Sequence, residues 1–593
     1  MATRQSTRNG AARNGRRRNG SNSGTRRSSA INGSPTKPRS GERKVREAVV
    51  EDVALGGSGP RTAPGLATVK LGAKLALRPQ RIARRGLGLT AELAKVAAGS
   101  SQMKPEKGDR RFKDKGWKLN PALRRLLQAY LATGQAVDGL ISDADLDQRS
   151  EQRVRFVASN LLDALAPSNS PLLNPTVLKA VIDSGGLNFV QGARNLAGDL
   201  GGRPFLPASV DKSKFKVGED LAVTPGAVVY RSETFELLQY DPQTDKVREA
   251  PLLVVPPMIN KYYIADLAPG QSMMEWAVKQ GQRAFMISWR NPDSSHADWN
   301  YDTYCAAVLE ALGAAEGITG SDRTHLMGMC AGGTIATMVT AHLAAKGEQE
   351  RVAGLILAVN VLDTSQGDSA ESFLDEITGS LAMVESARKG YLSGKSLAEI
   401  FAWMRPNDMV WGYWVNNYLL GQPPPAWDIL YWNSDQTNMP AGLHRDFVQL
   451  GLENGLTKPG AIEVLGTPVD VSKIDVDTYL IAGIADHISP WESAYRTTQL
   501  FGSDPRFVLS TSGHIVAMVN PPGKDKANYK VNESNPEDAG AWLKSATTHE
   551  GSWWPDWTEW LGERSGKEQT APREPGSDDY PVLGEAPGTY VRQ

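Results

Sequence analysis

A thiol flanked by glycines is the sharpest chemical feature of the chain: Gly328-Met329-Cys330-Ala331-Gly332-Gly333. It follows the apolar run Thr324-His325-Leu326-Met327-Gly328-Met329. It precedes a stretch in which Ile335, Met338, Val339, His342 and Leu343 recur at helical spacing. A strand, a sharp turn and a helix therefore come in that order, with a nucleophile at the turn. Such a turn is strained, and side chains on its flanks would collide with the strand and helix beside it, so glycine is required there. The helix N-terminus is also a place where the peptide dipoles favour a thiolate. The plainer alternative is a buried cysteine in a glycine-rich turn, so the thiol has to find partners.

A nucleophile elbow of this kind, with cysteine where serine is commoner, calls for an acid and then a histidine, each in a loop after a later strand. Asp486 follows the apolar run beginning Thr478-Tyr479-Leu480. His514 follows Arg506-Phe507-Val508-Leu509-Ser510, inside Ser512-Gly513-His514-Ile515. The stretch between them has room for one helix and one strand, so both residues emerge at the sheet edge that carries Cys330. His487, next to Asp486, is either an accessory hydrogen-bonding group or a bystander. His325 reads as a satisfied core residue and Cys305 as a small buried hydrophobe. No His/Cys cluster has metal-ligand spacing, and neither a phosphate-cradling glycine loop nor a dinucleotide fingerprint occurs. Metal and nicotinamide chemistry are therefore not expected.

The choice of cysteine narrows the reaction. Attack on a thioester by a thiol exchanges one thioester for another at little free-energy cost. The acyl group stays activated and can pass to an alcohol, whereas on serine it would fall to the more stable oxygen ester. Acyl transfer from a coenzyme-A-type donor suits this site better than plain ester hydrolysis.

The elements that must position these residues begin near residue 221. Short β-rich runs at 227–230, 252–255, 284–289, 324–329, 355–359, 478–482 and 507–510 alternate with helical stretches. That texture predicts an α/β fold, an α/β-hydrolase-like, mostly parallel sheet covered on both faces, over 221–564. Between about 365 and 465 the alternation stops in a stretch rich in Trp, Tyr, Asn and Pro, which reads as a cap insertion. Residues 46–220 read as a mainly helical N-terminal domain, with Asn120-Pro121 as a helix start and an amphipathic helix near Leu87–Val96. Residues 565–593 read as a C-terminal tail.

The 593 residues contain 66 Lys and Arg against 66 Asp and Glu. Ten of the basic residues and none of the acidic ones lie in 1–40, so the rest carries a net charge of −10. Residues 1–45 hold almost no apolar groups and are expected to be a disordered, Arg-rich tail. They contain no aromatic residue, so specific nucleic-acid reading by base stacking is not expected. No apolar segment follows the arginine pairs, as an export signal would require. With only two cysteines and no run of 18 apolar residues, a cytoplasmic protein is expected.

Beyond the elbow the chain resembles the polyhydroxyalkanoate synthases, bacterial enzymes that polymerise (R)-3-hydroxyacyl-CoA into storage polyester. The resemblance rests on Asp109-Arg110-Arg111-Phe112, on Pro256-Pro257-Met258-Ile259-Asn260-Lys261-Tyr262-Tyr263 and on Ser288-Trp289-Arg290-Asn291-Pro292. It continues through Tyr431-Trp432-Asn433-Ser434-Asp435, Asp486-His487-Ile488, Ser512-Gly513-His514-Ile515, Ser552-Trp553-Trp554 and Pro587-Gly588-Thr589-Tyr590-Val591. It runs from about 105 to the C-terminus and leaves the basic tail uncovered. It implies an acyltransferase of the one-subunit type, with wording that leans toward medium-chain substrates. It implies Cys330 as the nucleophile, His514 as its base and Asp486 beside it. The oxyanion donors would be the N–H of Ala331 and one near Ile259 or Asn260. No cofactor is implied, coenzyme A thioester being the substrate. The growing polyester, a homodimer and a storage granule with its coat proteins complete the implied partners. Two other readings stay open on the residues alone: a cysteine thioesterase of the same fold and a non-enzymatic granule-coating protein.

Overall fold

The computed structural model describes residues 66–201, 206–365, 386–524 and 526–593. The Arg-rich segment 1–45, and with it the predicted disorder, lies outside the described residues, as does the start of the expected helical region.

Helices fill the stretch before the sheet: Leu66–Ala76, Pro79–Ala98, Pro121–Ala144, Gln148–Ala164, Pro175–Ser184 and Leu187–Asp199. The Asn120-Pro121 start works as expected, and a second Asn-Pro step, Asn174-Pro175, acts in the same way. Asn120 Oδ1 accepts from the N–H groups of Ala122 and Leu123, and Asn174 Oδ1 from those of Thr176 and Val177, while the proline fills the first helical position. Leu87–Val96 lies within Pro79–Ala98. The apolar clusters here are small, Ala67 with Ile141 and Val154, and Phe112 with Trp117 and Leu127. The helical stretch therefore leans on the rest of the chain. Asn188 Nδ2 donates to Leu419 O at 2.8 Å and Asn195 Nδ2 to Asn417 O at 2.9 Å. A Cβ on Gly192 would strike the Tyr418 carbonyl, so these backbones touch directly. Arg111, held by Asp109 and Asp163, also donates to Asn407 Oδ1 at 3.3 Å.

The main sheet has eleven strands, numbered here along the chain: β1 Gly226–Arg231, β2 Phe235–Tyr240, β3 Leu252–Val255, β4 Ala284–Trp289, β5 Thr324–Met329, β6 Val352–Ala358, β7 Thr478–Gly483, β8 Arg506–Ser510, β9 Asn528–Val531, β10 Thr547–Glu550 and β11 Gly584–Glu585. Their order across the sheet is β10-β9-β8-β7-β6-β5-β3-β4-β2-β1-β11. The six strands from β8 to β4 are parallel, and the flanking pairs are antiparallel. The parallel strands are apolar on both faces because helices cover both. Leu253, Val255, Phe285, Ile287, Leu326 and Leu355 join one core, while Leu252, Val254, Met286, Met327 and Ile356 join the other, the alternation of a pleated strand.

Every run read from the sequence forms a strand. Missing from that reading were β2, the antiparallel β9 and β10, and β11. The segment set apart as a C-terminal tail is woven into the sheet domain. Glu568–Thr570 pairs with Lys246–Arg248, β11 extends the sheet edge, and Glu236 on β2 accepts from Thr589 and Tyr590. In the predicted cap, residues 366–385 lie outside the described residues. The remainder holds helices Gly394–Met404, Asp428–Asn433 and Ala441–Glu453, with wide π-type turns at Asn407–Trp411 and Trp414–Leu419.

Candidate active site

The carboxyl ends of β5, β7 and β8 lie on one edge of the sheet, and each presents one of the predicted residues. Cys330 follows β5 directly and caps the helix Ala331–Lys346. Its φ of 48° and ψ of −124° lie outside the conformations an ordinary L-residue prefers, the strain expected of a nucleophile held at a hairpin-tight corner. The neighbouring glycines show why the corner tolerates nothing larger. A Cβ on Gly328 would sit 2.4 Å from Gly333 Cα, and one on Gly332 would sit 2.2 Å from the Val255 carbonyl oxygen. The Cys330 N–H donates to Ala358 O on β6 at 2.8 Å. The residue is half-buried.

Asp486 and His514 complete a relay toward the sulfur. Asp486 is buried, and its Oδ1 accepts from the N–H groups of Ile488 and Ser489, each at 2.9 Å. Its Oδ2 accepts from His514 Nδ1 at 2.7 Å. With Nδ1 committed to the carboxylate, the other ring nitrogen is the one left for the thiol, and the Cys330 sulfur is close enough to act on the His514 pKa. Burial works against a charged imidazole, but the Asp486 carboxylate and the Cys330 sulfur outweigh it, raising the His514 pKa to about 10. The short helix His514–Met518 is held from behind by the indole N–H groups of Trp553 and Trp554, which donate to Ala517 O at 2.7 Å and Met518 O at 3.0 Å. His487 is half-buried in the Asp486 loop.

Ala331 opens the helix after the thiol. The loop that leaves β3 runs alongside it, since the carbonyls of Val255 and Pro256 pack on Gly332. Ile259 and Asn260 in that loop are half-buried. Cap residues grip the loop: Thr437 donates to Met258 O and Ile259 O at 3.0 and 3.4 Å, Asn260 bridges to Gln436, and Trp432 Nε1 donates to Lys261 O at 2.7 Å. From beneath, Trp289 Nε1 donates to Pro256 O at 2.9 Å. Several of the motifs quoted from the sequence thus meet on one loop.

The remaining candidates sit elsewhere. His325 is buried against Ser565, 3.0 Å from its hydroxyl, and burial lowers its pKa to about 3. Burial pushes the Cys305 thiol well up. His549 stacks on Tyr529 between β9 and β10. Among the described residues, no group of three or more His, Cys, Asp or Glu is arranged to hold a metal ion, and no helix is long and apolar enough to cross a membrane. Sequence reasoning missed Asn360, whose side chain touches the elbow from the end of β6. A lone Asn after an apolar strand carries no signal of its own.

A family profile described as "Poly-beta-hydroxybutyrate polymerase (PhaC) N-terminus" matches residues 108–277, and an "alpha/beta hydrolase fold" profile matches 265–521. Poly(3-hydroxyalkanoate) polymerase 2 of Ectopseudomonas oleovorans is 46% identical over 513 residues, covering 86% of this chain and 91% of the relative. Polymerase 1 of the same organism is 44% identical over 502 residues, 85% and 89% of the two chains. Poly(3-hydroxyalkanoate) polymerase subunit PhaC of Cupriavidus necator is 40% identical over 506 residues, 84% and 85% of the two chains. On a sheet whose order and elbow are those of an α/β hydrolase, this likeness along most of its length makes the chain a member of the poly(3-hydroxyalkanoate) polymerase family, acyl-transferring enzymes that build polyester.

Proposed function

We propose that this enzyme polymerises (R)-3-hydroxyacyl-CoA through a covalent acyl-Cys330 intermediate. The observation that carries the reading is the line of contacts from Asp486 through His514 to a cysteine in a strained elbow. His514, made strongly basic by its two neighbours, takes the thiol proton at the nitrogen facing Cys330. The thiolate attacks the thioester carbonyl. The tetrahedral oxyanion is met by the Ala331 N–H and by an N–H of the loop around Ile259 and Asn260. Coenzyme A leaves as a thiol, carrying the proton from His514. The 3-hydroxyl of the next acyl group then gives its proton to His514 and attacks the acyl-cysteine. This returns the thiolate and leaves the chain, longer by one unit, as a CoA thioester, which the Cys330 thiolate attacks in turn to take the chain back and release CoA.

The chemistry needs no cofactor, because the thioester supplies the activated acyl group. The likeness to poly(3-hydroxyalkanoate) polymerases supports work at the surface of a polyester granule, as a homodimer beside its coat proteins. The Arg-rich first 45 residues are dispensable for polymerisation, either a solvated extension or a charge-based attachment to anionic surfaces. Incubation with (R)-3-hydroxyacyl-CoA tests the proposal, with thiol release and the acyl product followed together. Polymer supports it. Free 3-hydroxy acid would make the protein a thioesterase, and no turnover would leave it a coat protein.

A further inference from the structure

The peptide between Cys330 and Ala331 has two ends. Its N–H, on Ala331, is the oxyanion donor of the mechanism above. Its C=O, on Cys330, points the opposite way, because a trans peptide keeps the two coplanar and antiparallel. That C=O accepts twice, from the Gly333 N–H at 2.8 Å and from Asn360 Nδ2 at 2.8 Å. Asn360 Nδ2 also donates to Thr334 Oγ1 at 3.1 Å. A carbonyl can only accept, so the amide nitrogen has to face it.

Asn360 is only 7% exposed, and the elbow is shaped around it: a Cβ on Gly333 would lie 2.8 Å from Asn360 Cγ. The residue before it, Val359, has φ of 48°, a left-handed conformation that a β-branched residue rarely adopts. Val359 is fixed there by its N–H donating to Ile481 O at 2.7 Å. The end of β6 thereby grips both peptide groups of the nucleophile, with Ala358 O on the Cys330 N–H and Asn360 on the Cys330 C=O.

We infer that Asn360 is a positioning residue for oxyanion stabilisation, a role that rests on Ala331 N–H being the oxyanion donor. Pinning the Cys330 carbonyl fixes the direction in which the Ala331 N–H points. A hydrogen bond to that carbonyl also polarises the peptide, so the N–H donates more strongly. Asn360 itself meets neither the thioester nor the leaving group.

Two reactions of the same thiol, run on the full-length protein, separate this role from a structural one. Acylation by (R)-3-hydroxyacyl-CoA passes through an oxyanion, whereas alkylation by iodoacetamide displaces iodide at a saturated carbon and forms none. Asn360→Leu removes the donor at similar volume, and Asn360→Asp replaces it with an acceptor, giving a second variant should the first not fold. The acylation burst, read as released thiol, should fall about ten- to a hundred-fold in either variant. The alkylation rate of Cys330 on its high-pH plateau should stay within about two-fold of the parent. Equal losses in both reactions would assign Asn360 to the thiol or the fold and overturn the inference, as would an unchanged burst. A separate variant replaces the Ala331 N–H by an ester oxygen, through lactic acid at position 331. If that variant acylates normally, Ala331 is not the donor and the inference falls with that reading. If it fails while the Asn360 variants acylate normally, the donor stands and only the role of Asn360 is wrong.

Discussion

His514 Nδ1 and Asp486 Oδ2 lie 2.7 Å apart across 28 residues of sequence, and the carboxylate turns its other oxygen to two backbone N–H groups of its own loop. The acid is thus held by its own loop, and the imidazole is held by the acid. An imidazole whose folded pKa is raised to about 10 favours the folded state most fully below its unfolded value of about 6.5. That contribution fades as pH climbs from there through about 10. The stability gap between the parent and His514→Gln, measured by urea denaturation, should therefore be widest near pH 6 and narrow steadily toward pH 10. A gap independent of pH would mean that the His514 pKa is not raised.

Cys330→Ala should abolish turnover and acyl labelling while leaving the denaturation midpoint close to the parent's, because the half-buried thiol fills little core volume. Cys330→Ser should lose at least about a thousand-fold in CoA release, since a hydroxyl is far harder to ionise and forms a less activated ester. Steady-state assays with a thiol reagent check both variants. Polymerisation at the parent's rate by either would remove Cys330 from the mechanism.

Asp486→Asn separates the two half-reactions. The first deprotonates a thiol and the second an alcohol, which is far less acidic. Chain extension should therefore slow more than the acylation burst, by roughly ten-fold or more, a fraction of the roughly hundred- to ten-thousand-fold that general-base assistance supplies. Rapid-quench measurement of the burst against the later polymerisation rate reports the split. Equal slowing of the two phases would contradict this division of labour.

Glu236 tests the part played by the last residues of the chain. Its buried carboxylate accepts from Arg231, from the N–H and hydroxyl of Thr589 and from the N–H of Tyr590. Burial opposes its ionisation, yet the hydrogen bonds from Tyr590, Thr589 and Arg231 hold its pKa below the usual carboxylate range. Glu236→Ala should cost about 2–3 kcal/mol, the scale for stripping charged hydrogen bonds from buried groups. It should also expose residues 571–593 to limited proteolysis. Stability equal to the parent's, with the segment still protected, would show that this contact holds nothing.

The parallel strands and the meeting of Cys330, Asp486 and His514 at one sheet edge were legible in the sequence for one reason. Strands buried on both faces are written as unbroken apolar runs, and the order of nucleophile, acid and base is set by the crossover topology. β2 was not legible because Phe235-Glu236-Leu237-Leu238-Gln239-Tyr240 carries two polar residues that look solvated. In the structure Glu236 is buried and satisfied by residues more than 350 positions later. The C-terminal segment was misread as a tail for the complementary reason: 568–593 is polar and proline-rich, and its partners are distant backbone and side-chain groups. Asn360 shows the same limit at the site. Its importance lies in a carbonyl thirty residues earlier, which no local pattern announces.

The proposed reaction carries the acyl group on Cys330 and releases it as polyester. The most direct measurement mixes the full-length enzyme with (R)-3-hydroxyacyl-CoA, quenches within a single turnover, and maps acylated peptides by mass spectrometry while product is collected in parallel. A 3-hydroxyacyl adduct should be found on the peptide containing Cys330, appearing with the burst of free CoA and lengthening unit by unit as polymer accumulates. Release of CoA together with free 3-hydroxy acid, and with no adduct on Cys330, would contradict the proposed reaction.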